Sequence, residues 1–106
     1  MGELDLAVLL RTMEPVLHPE AYGYAVWTGA LPIGTFATVA EAEGLTVVAP
    51  LASLETGEPW ARISLTVHSD LAAVGLTAAF AAALAAEGIS CNVIAGVHHD
   101  HLFVQW

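Results

Sequence analysis

The chain has 106 residues, 57% of them hydrophobic and only 12% charged, which excludes intrinsic disorder. Two basic residues, Arg11 and Arg62, face eleven acidic ones, for a net charge of −9. That balance excludes nucleic-acid binding, which needs several Lys or Arg contacts to phosphate, and it argues equally against anionic membranes.

The first residues carry Glu3, Asp5, Glu14 and Glu20 without a basic cluster, so no signal peptide is expected. Leu4, Leu6, Leu9, Leu10 and Met13 have the spacing of a short amphipathic helix that Pro15 ends. Tyr22 to Thr28 alternates and predicts a strand. Gly29 to Gly34 holds two glycines and a proline and predicts a loop. Leu45 to Ala49 is a short apolar strand, and Pro50 starts a helical turn that Gly57 ends.

The second half is patterned more clearly. From Trp60 to His68, Ile63, Leu65 and Val67 point one way, while Arg62, Ser64, Thr66 and His68 point the other. Period two with β-branched residues predicts a strand with one buried face. Ser69 and Asp70 supply an N-cap for a helix over Leu71–Ala86, with Gly88 in the C′ position. That helix is apolar all round, so burial on more than one side is expected. It is shorter than the roughly twenty residues of a bilayer span, and no membrane association is expected. Ser90–Val97 and His101–Trp106 read as strands of a hairpin, with Gly96, His98, His99 and Asp100 in its turn. No linker interrupts the chain, so two halves, 1–57 and 58–106, are expected to share one core. The single cysteine, Cys91, cannot form an internal disulfide, which fits a reducing, cytoplasmic setting.

The stretch Ile63–Gly96 resembles the ACT domain. Gly75-Leu76 near the helix start, Glu87-Gly88-Ile89 at its end and Asn92 on the next strand carry the resemblance. The ending His98-His99-Asp100-His101-Leu102-Phe103-Val104 is similar to a closer group, the small bacterial ACT-domain family of uncharacterised function with two ACT-like halves. Leu9-Leu10, Met13-Glu14-Pro15, Tyr22 and Glu41-Ala42-Glu43-Gly44-Leu45-Thr46 look like its N-terminal motifs. The resemblance implies an α+β fold: a ferredoxin-like, ACT-type antiparallel sheet with helices on one face. It also implies a regulatory protein that binds amino acids, is a dimer, and is not an enzyme. Two departures stand out. Val97 replaces the family's usual tyrosine, and the chain stops at Trp106, where the family continues into another helix that this chain is expected to lack.

Three candidate sites follow. The first is the turn His68-Ser69-Asp70-Leu71 with Gly75 and Leu76. Unsatisfied N–H groups at a helix start favour an anion such as a ligand carboxylate, and ACT-type domains commonly hold their effector in this loop. Ser69 or Asp70 also explains itself as a simple helix cap, and the charge of Asp70 opposes an anion. The second is the hairpin. By resemblance, Gly96, Val97 and Asp100 are expected at the ligand, with the Asp100 carboxylate accepting hydrogen bonds from an amino group. Asp also favours turns for its own backbone bonds. Asn92 could bond a ligand or a second subunit's edge, or simply face solvent. The third is metal: His98, His99 and His101 are competent ligand types, but no HExxH or CxxC spacing supports a site. No cofactor is expected.

Enzyme readings are poor. There is no lysine, no phosphate loop and no supported nucleophile–base order. The first function is therefore a small-molecule sensor that works by ligand-dependent subunit arrangement. The alternatives are a ligand-free oligomerisation module and a His/Asp metal-linked regulator.

Overall fold

The computed structural model describes residues 14–65 and 76–106. Strands β1 (Pro15–Trp27), β2 (Ala37–Glu41), β3 (Gly44–Pro50) and β4 (Trp60–Leu65) precede helix α1 (Leu76–Ala86), followed by β5 (Cys91–Ala95) and β6 (Asp100–Gln105). A 3-10 turn covers Leu51–Ser53. The β1–β3, β2–β3 and β5–β6 pairs are antiparallel. An α+β fold built on antiparallel sheet is therefore what the chain forms. The chain makes two compact units. Among the described residues, one holds 14–18, 62–65 and 76–105, and the other holds 19–61 and Trp106. The division falls inside β1 and inside β4.

In the unit over 19–61, β3 lies between β2 and β1. Val47 and Ala49 of β3 form a core with Leu54, and Ala25, Trp27 and Leu45 pack against it. Pro50 precedes the 3-10 turn, and the Leu54 N–H donates to the Leu51 carbonyl at 3.0 Å. The turn brings Leu51 and Leu54 so close to β1 that a Cβ on Gly23 would lie 2.9 Å from both Cδ1 atoms. On the other face Tyr24 meets Trp60 edge to face, centroids 5.7 Å apart. β1 begins well before the expected Tyr22. Strand β2 is absent from the sequence reading: it is a short edge strand, mostly exposed, with no apolar stripe to announce it.

In the other unit, Phe80 and Leu84 of α1 sit with Leu65 of β4 and Leu102 of β6 in a buried cluster. Ile63, Cys91, Val93 and Val104 complete it. Phe80 and Leu84 are four apart and so share one helical face. Within this unit α1 buries the face of Phe80 and Leu84, and Ala78, Ala82, Ala85 and Ala86 are exposed in the single chain. Alanine is small enough that an exposed face of it adds little apolar area, and its helix propensity justifies it there. The helix ends as expected. Gly88, at φ +75°, donates to the Ala85 carbonyl, and Ile89 donates to that of Leu84. Those two bonds form a Schellman cap. The expected helix over Leu4–Met13 and the start of the helix before Leu76 lie outside the described residues.

Candidate functional site

The β5–β6 hairpin carries four of the expected ligand residues. Its register pairs Cys91 with Val104, Asn92 with Phe103, Val93 with Leu102, Ile94 with His101 and Ala95 with Asp100. The Gly96 N–H closes the turn by donating to the His99 carbonyl at 2.9 Å. Val97, His98 and His99 are exposed in the bend, and the two imidazole rings lie 6.4 Å apart.

Alternation then sorts the side chains. Cys91, Val93, Leu102 and Val104 pack with Phe80 and Leu84, so they define the helix side of the hairpin. Asp100, paired with Ala95, falls on that side. Asn92 and His101 fall on the opposite side with Ile94 and Phe103. Gly96, Val97 and Asp100 thus cluster at one end of the hairpin, while Asn92 faces away from Asp100. Ser69, Asp70, Leu71 and Gly75 lie outside the described residues, and Leu76 opens the described part of α1.

The structure assembles a second polar group that sequence reasoning did not. Ser64 Oγ lies 2.8 Å from His18 Nε2 and 2.8 Å from His101 Nδ1. Each residue comes from a different strand: β1, β4 and β6. Ile63 and Leu65 take the helix side of β4, so Ser64 and Arg62 point away from it. The alternation of β4 predicted that orientation and left Ser64 to solvent. Instead Ser64 is only 7% exposed. Imidazoles from two other strands reach it, a meeting that no local pattern encodes. The available signal was weak: a serine between apolar neighbours, with histidines elsewhere at strand positions.

One hydroxyl carries one proton, so Ser64 donates to one ring and accepts from the other. Burial lowers the His101 pKa from its ordinary value, and Arg62, His99 and His18 push the same way, against Asp100. Through these two contacts the serine bridges three strands. Burial also raises the Cys91 thiol pKa, as expected of a packing residue rather than a reactive one. Among the described residues no three His, Cys, Asp or Glu side chains are placed to hold a metal ion. None of the described helices is long and apolar enough to cross a membrane.

The family model of the ACT domain matches residues 1–55. Among solved structures, the chain is similar to a Vibrio cholerae protein described as of unknown function and a possible transport protein. The two are 48% identical with a TM-score of 0.75, over 98% of this chain and 86% of that one. No curated protein matches.

Proposed function

This chain belongs to the ACT-domain family, and on that premise we propose that it is a regulatory protein that binds an amino acid or a related small metabolite. It acts without catalysis, in the cytoplasm, through a ligand-dependent arrangement of two subunits. The observation that carries the reading is the ACT match over residues 1–55, continued by the strand, helix and hairpin of β4, α1, β5 and β6. The ligand site we assign joins the loop of Ser69, Asp70, Leu71, Gly75 and Leu76 to the hairpin end at Gly96, Val97 and Asp100. The Asp100 carboxylate accepts from the ligand's ammonium group. N–H groups at the start of the helix take its carboxylate. Asn92, on the other side of the hairpin, is left for a subunit contact.

Thermal unfolding against the twenty amino acids at millimolar concentration tests this. A ligand at one hundred times its dissociation constant adds about 2.7 kcal/mol, and each kcal/mol moves Tm by roughly 4–8 °C in a domain of this size. The expected result is one responsive amino acid whose shift disappears in Asp100→Ala. A flat panel with a fixed dimer by light scattering would instead support the ligand-free oligomerisation module. That second reading has its own support: Val26 and Val39 flank Thr46 on one sheet face and are 68% and 49% exposed.

A further inference from the structure

We propose that His18, Ser64 and His101 form a proton-operated latch that ties β1 to β4 and β6 within one unit. The latch rests on a count of donors. Ser64 Oγ stands 2.8 Å from a ring nitrogen on each side. With both rings neutral, one tautomer donates N–H to Oγ and the other ring accepts the hydroxyl proton. A first added proton fits the same pattern, because a charged ring can still be the donor. A second proton makes both rings donors. The hydroxyl oxygen can accept both bonds, but its own proton then loses the acceptor it had. That happens at a residue only 7% exposed, with two like charges across one oxygen.

The surroundings push the same way. Among the described residues, the charged groups acting on His101 are Arg62 on β4, His99 in the turn, His18 on β1 and Asp100 beside it. All but Asp100 disfavour its charged form. The latch therefore holds with no proton or one proton added and opens with the second. It goes beyond the ligand-binding reading, since it needs no ligand and uses none of the residues assigned to one.

The test is an NMR titration of the imidazole nitrogens of the intact chain without ligand. His18 and His101 are expected to titrate in two steps about one pH unit or more apart. The backbone amide of His18 should follow the lower step, where the bridge opens. Ser64→Ala should narrow the separation, because the orphaned hydroxyl is then gone. Arg62→Gln should move both steps upward and leave them separate. Should Ser64→Ala fail to fold, His18→Asn serves in its place: His101 should then titrate once, above the lower step of the parent chain. Coincident titration of the two rings overturns the latch. So does a separation unchanged by Ser64→Ala, or a His101 midpoint in His18→Asn no higher than that lower step.

Discussion

A Cβ placed on Gly96 would stand 2.9 Å from the backbone carbonyl oxygen of His99, the same atom that accepts the Gly96 N–H. The turn of the β5–β6 hairpin is thus closed so tightly that its first residue has room for hydrogen alone. The contact is with backbone, which cannot rotate away as a side chain would. Gly96→Ala should cost about 1–3 kcal/mol, the range for overpacking a closed site. Thermal unfolding reads the loss, and NMR of β5 and β6 reads whether the register shifts. An unchanged Tm would mean that the turn relaxes freely.

The core of the same unit predicts a larger effect. Phe80 is 2% exposed and packs with Leu65, Leu84 and Leu102. Phe80→Ala should cost about 3–5 kcal/mol, a large part of the 5–15 kcal/mol that stabilises a typical domain. Val97→Ala in the adjoining bend, where Val97 is 64% exposed, should stay within about 0.5 kcal/mol of the parent. Urea unfolding of the two variants side by side gives the comparison. Equal losses would place the core elsewhere.

How far the sequence carried this reading differs from element to element. Strand β4, the end of α1 at Gly88 and the β5–β6 hairpin were legible, because each has a local cause: alternation, a C′ glycine, and a polar turn between apolar stretches. Strand β2 was not, because β3 recruits it and its own residues do not demand a strand. The alanines of α1 did not tell which face packs within the unit, for a related reason. Alanine reports helix propensity and says little about burial. At the site, Gly96 was readable as the start of the turn, whereas Val97 falls in the bend instead of the strand, and Asp100 opens β6 opposite Ala95 instead of lying in the turn. The opposite facing of Asn92 followed only once the register was known. The serine between two histidines was invisible because it is a meeting of three strands.

Acid should weaken this fold through His101. Its folded-state pKa lies below the ordinary value of 6.5, chiefly from burial and then from the charge of Arg62. Between 6.5 and the lower native value, the unfolded chain binds more protons than the folded one. Stability therefore rises with pH through that window, and it is lost as pH falls from 6.5 through the native pKa. Thermal midpoints measured at pH values on both sides of the window should fall toward acid. His101→Gln should flatten that part of the profile. A slope that survives in the variant would assign it to other groups.

Cys91 offers a readout of local opening. It packs against the cluster of Phe80 and Leu84 and pairs with Val104 in the hairpin register. Burial raises its pKa from the ordinary 9.0, so the native thiolate fraction at neutral pH falls below the few per cent typical of a free cysteine. Reaction with a disulfide reagent should be slow in the native state and should speed up once urea opens the unit. Because Cys91 sits among the same side chains as Phe80, the Phe80→Ala variant should react faster than the parent before any global unfolding. That acceleration would tie thiol access to the helix–sheet cluster. A native rate equal to that of the unfolded chain would show that β5 does not shield the thiol.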